Sequence, residues 1–452
     1  MKRAVVFFLS LTLITGMLTG CGGSDEKKDT GVTEADVSEP EEADVTETDE
    51  TDENTEAAAE SEIGGVLTVA VTEDRVKFYE PVFEEFSKEY PDVEVEFATF
   101  ADFTATNQGV QAAHQAGDDY DILTVNHVDT MTYQKAGMLY PIGDLAERDG
   151  VDFDAVFMGS LMEPCKIGGK AYTIPTDTDT RVIFYNKDLF EKYNLEYPAT
   201  LDEMLECGKV MTKDGDYLFT NALTASVYQS TYEMGVFLQS IGGTLYEIDD
   251  SGKPVATVDT PEMKKYLEFV KELQNYMPED SITMEGTEAR NQFCNGNIGM
   301  MESGPWEYGE MDMESLDFTV ELRLIPAGDA GSYSTSGGYQ LGIGAESDNV
   351  EAAWTFIKWL TENPDQAAAF GGTNLPTIEA AYDEGTFADP KYDIFKEQLK
   401  TSNMPQIPVA NLNEVMNTFD EYWQNLLFGK MTPDEVCKGA QTAVQEVLDE
   451  NK

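Results

Sequence analysis

The sequence predicts an α/β protein with two lobes, and three observations carry that expectation. Val66 to Val71 (VLTVAV) reads as a buried strand, a stripe from Val76 to Tyr90 as a helix, and the alternating Val93, Val95 and Phe97 as the next strand. Strand, helix, strand is the grammar of a parallel sheet covered by helices. The length of 452 residues favours two or three domains, or one large fold with two lobes. Finally, Tyr172 to Phe190 (YTIPTDTDTRVIFYNKDLF) joins a strand ended by Pro175, a polar run of Thr and Asp, and the β-branched and aromatic run Val182 to Tyr185. Pro175 fixes its own φ and biases Ile174 toward extended geometry, so this stretch reads as a crossover between lobes that also lines a ligand site. A surface loop within one domain is the alternative.

The elements follow in order. Met1 to Cys21 has Lys2 and Arg3, an uncharged apolar run from Ala4 to Leu18, and then Thr19-Gly20-Cys21. That run is too short for a spanning helix and describes an export signal. Leu18-Thr19-Gly20-Cys21 resembles the bacterial lipobox, which implies removal of the leader and lipid attachment at Cys21. Two or more acyl chains anchor stably where one is marginal. Gly22 to Glu62 holds seventeen acids against two lysines and almost no aromatic surface. Such a segment cannot bury enough apolar area to offset its chain entropy, so it is expected to be a disordered, self-repelling tether. It is a solvating device rather than a metal site.

Over the whole chain, 29 Lys and Arg stand against 86 Asp and Glu, for a formal charge of −57. Long-range repulsion from such a charge makes nucleic acid and anionic membrane surfaces poor partners. Cys165, Cys207, Cys294 and Cys437 are scattered, with no C-x-x-C and no nearby His pair, which speaks against zinc and dithiol chemistry. They are expected to be buried or inert thiols, with one or two disulfides as the alternative.

Order begins near Ile63. After the first strand comes a polar turn, Thr72 to Arg75, and then the helix whose Val76, Tyr79, Phe83, Phe86 and Tyr90 recur at helical spacing before Pro91. A helix over Asn107 to Ala116 leads into the strand Tyr120 to Val125. In open α/β sheets ligands lie beyond the carboxyl ends of the strands, which puts Thr72 to Arg75 and Asn126 to Asp129 at the candidate site. Further on, helices are predicted over Thr200 to Met211 and over Tyr228 to Ile241. Thr260-Pro261 starts another, with Met263, Tyr266, Leu267, Val270 and Leu273 as its core stripe. Phe293 to Trp306 is a Gly-rich segment around a short strand, Ile298 to Met301. Strands are predicted over Asp317 to Ile325 and Leu341 to Gly344. Asp348 with Glu351 is expected to cap a helix whose Val350, Ala353, Trp354, Ile357 and Leu360 face inward. Thr432-Pro433-Asp434-Glu435 caps the last helix, which buries Val436, Ala440, Ala443, Val444 and Val447.

This pattern resembles the extracellular solute-binding lipoproteins of ABC importers, in the sugar-binding group (family 1) that includes maltose-binding protein. The likeness runs through Leu67 to Phe97, Asp121 to Leu145, Tyr172 to Phe190, Phe293 to Trp306 and Gly337 to Phe370. Leu375-Pro376-Thr377 and Met404-Pro405-Gln406-Ile407-Pro408 add shorter motifs. The resemblance covers Ile63 to the end and rests on the order and spacing of motifs that are individually loose. It implies a two-lobed periplasmic-binding-protein-like fold of type II, with a hinge and discontinuous lobes: 63–176 with 325–372, and 177–324 with 373–452.

A sugar offers an apolar face of C–H groups and a rim of hydroxyls, so its site wants an aromatic plate, carboxylates or amides, and often an Arg. The resemblance implies Trp306 as the plate, Tyr232 with Tyr228 near it as a second wall, and Tyr339 reaching the cleft from the Gly337-Gly338 turn. Asp179 matches the acidic crossover position, with Asp177 close by. Asp74 and Arg75 sit where the family places polar contacts. Where several sugar binders carry an aromatic, this chain has Asn126 and His127, which would supply hydrogen bonds and argue against a long maltose-type oligosaccharide. If the crossover is extended, Asp177 and Asp179 share one side and Thr178 and Thr180 the other.

The expected function is therefore capture of an extracellular sugar by a monomer lipid-anchored on the outer face of the membrane, and its delivery to permease subunits, with no cofactor and no metal. A polyamine, peptide or metal-chelate ligand is the alternative within the binding class. A glycosidase would want paired carboxylates, but Asp177 and Asp179 lie in one loop and cannot flank a bond from opposite sides. There is no nucleophile elbow, phosphate loop or metal-ligand motif. A structural surface lipoprotein is the third class.

Overall fold

The computed structural model describes residues 63–158, 161–213, 215–224, 229–249, 251–383, 385–403, 409 and 411–450. The expected leader and tether with Cys21, the Tyr228 position and the 404–408 motif lie outside the described residues. Among the described residues no helix is long and apolar enough to cross a membrane.

Two sheets organise the chain. The first has the strand order Val93–Phe100, Gly65–Thr72, Ile122–Asn126, Tyr339–Ile343, Thr173–Pro175. Its first three strands are parallel, and Tyr339–Ile343 runs antiparallel to both of its neighbours. The second has the order Val320–Arg323, Val182–Asn186, Ile298–Ser303, Tyr217–Thr220. Successive side chains of a strand point to opposite faces. Accordingly Val182 and Phe184 belong to one apolar cluster and Ile183 and Tyr185 to another. In the first sheet Leu67, Val69 and Val71 pack on one face and Ala70 on the other. The inner strands are covered on two sides and so read as nearly continuous apolar runs, whereas the edge strands Val93–Phe100 and Val320–Arg323 alternate apolar with polar residues.

The crossover reading of Tyr172 to Phe190 matches the topology: Thr173–Pro175 ends in the first sheet and Val182–Asn186 enters the second. Thr178 and Leu375 exchange backbone hydrogen bonds of 2.9 and 2.7 Å, so two connecting segments run side by side. The return path differs from the expected border at 325. Ile325 is buried in the apolar core of the second sheet, Ala327 exchanges backbone bonds with Ala199 and Leu201, and Ala330 bonds to Ser240. Ser334–Thr335 then pairs with Ser402–Asn403, and the chain enters the first sheet only at Tyr339.

Four local expectations are sharpened or corrected. The polar turn after the first strand is a 3-10 turn, Glu73–Arg75, that runs directly into the helix Val76–Glu89. The helix Val350–Glu362 has Asn349 rather than Asp348 at its cap, without a side-chain cap bond. Asn349 instead donates to the Val66 carbonyl and Asp121, and Glu351 is drawn to Arg148. The segment expected as one helix to Ile241 is a π-turn, Gln229–Glu233, followed by an α-helix, Gly235–Ile241. In the last helix, Ala443 and Val447 are half-buried, and Cys437 and Leu448 join the buried face. The four described cysteines are free thiols.

Candidate functional site

A cavity of about 720 Å³ is lined from both sheets and from the connecting segments. Of the residues singled out from sequence, it gathers Asp74, Arg75, Asn126, Asp179, Tyr232, Trp306 and Tyr339. Asp177 and His127 instead line a second cavity of about 390 Å³, which shares Gly338 and Tyr339 with the first.

The wall on the first-sheet side is built on Arg75. Its guanidinium lies 3.6 Å from the centroid of the Tyr339 ring and donates to Asp177 Oδ2 at 3.0 Å. The opposite face of Asp177 is met by Asn374, whose Nδ2 donates to Oδ1 at 2.7 Å. Burial raises the pKa of Asp177, and Arg75 and Asn374 pull it back down. Burial, the largest single influence, opposes the charge on Arg75, but Asp177, Tyr79 and Tyr339 together outweigh it and hold the guanidinium protonated. Phe103 stacks on Tyr339 at 4.8 Å, so the ring is engaged by both Arg75 and Phe103.

On the second-sheet side Arg181, which the sequence did not single out, is central. It is buried, 4.2 Å from the Tyr232 ring centroid and 5.1 Å from that of Trp306. Asp179 accepts from its Nη1. Glu233 accepts from Nε and Nη2 at 3.4 and 3.3 Å. Glu302 lies 3.7 Å from Nε and accepts from Asn221 at 2.6 Å. Burial raises the pKa of Glu302 well above the carboxylate range, Glu233 adds to the shift, and Arg181 opposes it. The second guanidinium on this side, Arg290, donates to Glu307 at 2.5 and 3.2 Å.

Two glycine positions are required by this geometry. A Cβ on Gly337 would sit 1.4 Å from the Tyr232 hydroxyl, and one on Gly304 would sit 2.1 Å from the Trp306 ring. The Gly337-Gly338 and Gly304-Pro305-Trp306 signals therefore mark close approaches of backbone to the aromatic plates. The two acids do not share one side as a simple extended crossover would place them: Asp179 faces the cavity and also accepts from the Gly337 amide at 2.8 Å, whereas Asp177 is drawn away by Arg75 and Asn374 and lines the second cavity. His127 is buried, and its Nδ1 donates to the Gly338 carbonyl at 3.2 Å. Burial first, then Arg181, pushes its pKa down to about 4 against the pull of that carbonyl, so the ring is neutral. Arg181, Glu233, Arg290 and Asn374 were missed because charged and amide residues are abundant in the sequence and nothing local distinguishes these.

Two α/β units joined by adjacent crossing segments, with a polar and aromatic cleft lined from both, define a two-lobed ligand-capturing protein of periplasmic-binding-protein type II. The chain belongs to the bacterial extracellular solute-binding proteins, whose family pattern matches residues 70–367. It is 26% identical over 299 residues to a probable ABC transporter-binding protein of Deinococcus radiodurans, covering 62% of this chain and 69% of that protein. It is 28% identical over 292 residues to a maltotriose-binding protein of Pyrococcus abyssi, covering 63% of this chain and 60% of that one. Among solved structures, maltose-bound MalE3 of T. maritima superposes with a TM-score of 0.72 at 24% identity, over 84% of this chain and 99% of that one.

Proposed function

We propose that the chain captures an uncharged mono- or oligosaccharide outside the cell and delivers it to the membrane permease of an ABC importer. The observation that carries this reading is the meeting, on one cavity wall, of the aromatic pair Trp306 and Tyr232 with the hydrogen-bonding rim Asp179, Arg181 and Glu233. A sugar ring needs both: aromatic area for its C–H face, and groups that accept from and donate to its hydroxyls. The interior charges are already partnered, Arg75 with Asp177, Arg181 with Asp179 and Glu233, and Arg290 with Glu307. To reach any of these interior carboxylates a polyamine would have to displace a guanidinium, despite the acidity of the chain as a whole. Hydroxyls can join such pairs without breaking them. The maltotriose-binding relative and the maltose-bound neighbour support the same ligand class.

In this reading 63–176 with 336–372, and 177–335 with 373–452, are the two lobes, and the protein acts as a monomer without catalysis. The leader is removed and Cys21 carries the lipid, with Gly22 to Glu62 as tether on the outer face of the membrane. Labelled palmitate should enter the wild type and not Cys21→Ser.

Calorimetry with a panel of neutral carbohydrates tests the binding. Trp306→Ala should weaken it by at least about tenfold, in line with the loss of a buried aromatic contact. Unchanged affinity would remove Trp306 from the site, and turnover of a glycoside would replace the binding reading with an enzymatic one.

A further inference from the structure

An arginine in a polar cleft ordinarily invites a carboxylate or phosphate, because the planar guanidinium matches those groups with two parallel hydrogen bonds. In this cleft that edge of Arg181 is already taken. Glu233 accepts from Nε and Nη2 together, the arrangement an incoming anion would use, and Asp179 occupies Nη1. With Glu302 3.7 Å away, three acidic side chains surround one guanidinium. They differ in access: side-chain exposure is 25% for Glu233, 10% for Asp179 and 0% for Glu302. Glu233 is thus the carboxylate at the cavity surface, and the π-turn Gln229–Glu233 places it beside Tyr232. The same device recurs on Arg290, whose Nε and Nη2 are filled by Glu307.

We propose that Glu233 acts as an internal stand-in for an anionic ligand and makes the cleft select neutral sugars against uronates and sugar phosphates. The inference rests on reading this cleft as the ligand site. It assigns Glu233 as a specificity-determining residue: it fills the bidentate edge of Arg181 and repels a second anion, while leaving oxygen atoms that accept from hydroxyls.

The test uses full-length protein in detergent, titrated with glucose, galactose and maltose, with glucuronate and galacturonate, and with inorganic phosphate. Wild type should bind a neutral sugar at least about tenfold more tightly than its uronate counterpart, as expected when a like charge must enter beside a partly buried carboxylate. Glu233→Gln should raise affinity for uronate and phosphate at least about tenfold by opening the fork of Arg181. Glu310→Gln, which removes a half-exposed rim acid 3.8 Å from Arg290, should leave these ratios within about twofold. Equal binding of a neutral sugar and its uronate by wild type would overturn the proposal. So would a Glu233→Gln protein with no gain for either anion, or an equal gain in Glu310→Gln. If no neutral sugar binds while Glu233→Gln still gains phosphate, the carbohydrate reading fails and the anion filter stands.

Discussion

His127 shows how a single residue can carry a measurable property that its type alone does not reveal. Its imidazole is held neutral by burial, with a pKa lowered to about 4, whereas an unfolded histidine titrates near 6.5. Above about pH 6.5 both states bind the same number of protons. Between about 6.5 and 4 the unfolded state binds one more, so stability falls as pH drops through that window, by roughly 3 kcal/mol in all. His127→Asn keeps a donor for the Gly338 carbonyl and cannot titrate. Denaturant midpoints at pH 7 and pH 5 should therefore separate less in the mutant than in wild type, and equal separations would refute the assignment. Trp306 and Asp179 were identifiable because a short motif surrounds each. Arg181 and Glu233 were not, because their roles depend on partners 52 positions apart in sequence that only folding brings together.

At the scale of elements, boundaries were legible wherever local chemistry dictates them. Thr200 and Thr260 cap their helices through their hydroxyls, and Thr432 with Glu435 forms the reciprocal capping box of Pro433–Asp449. Thr432→Ala should cost about 1 kcal/mol, seen as a lower urea midpoint at unchanged slope. The cap expected from Asp348 failed for a tertiary reason: the side chains that follow it, Asn349 and Glu351, are claimed by the first sheet and by Arg148. The π-turn before Gly235–Ile241 was equally invisible, since its apolar spacing is helical and its departure puts Tyr232 and Glu233 into the cleft.

Across the whole molecule, contacts between the sheets converge on the loop after Ile122–Asn126. Val128 is buried in the apolar cluster of the second sheet, and Asp129 Oδ1 accepts from Asn413 Nδ2 at 2.6 Å while Oδ2 accepts from Asn107 at 3.1 Å. These contacts span from the first sheet to the helix Leu412–Leu427. A ligand favours closure only through interactions it makes in that state. Small-angle scattering should show compaction with a bound sugar, and Asn413→Ala should speed sugar release severalfold with little change in association rate. Identical release rates would remove this contact from closure.

By itself the sequence determined the α/β class and the crossover at Pro175, and its resemblance to the solute-binding family pointed to aromatic and acidic residues that line the cavity. Strand runs, caps and Gly-Pro-Trp spacing act through neighbours a few residues away, so they are readable locally. Tertiary structure alone decided that Asp179 faces the cavity and Asp177 backs Arg75, that the return path stays on the second sheet to Thr335, and that the guanidiniums are filled from within. Those outcomes are pairings between distant charges in a buried space, where geometry and desolvation rather than residue type select the partner.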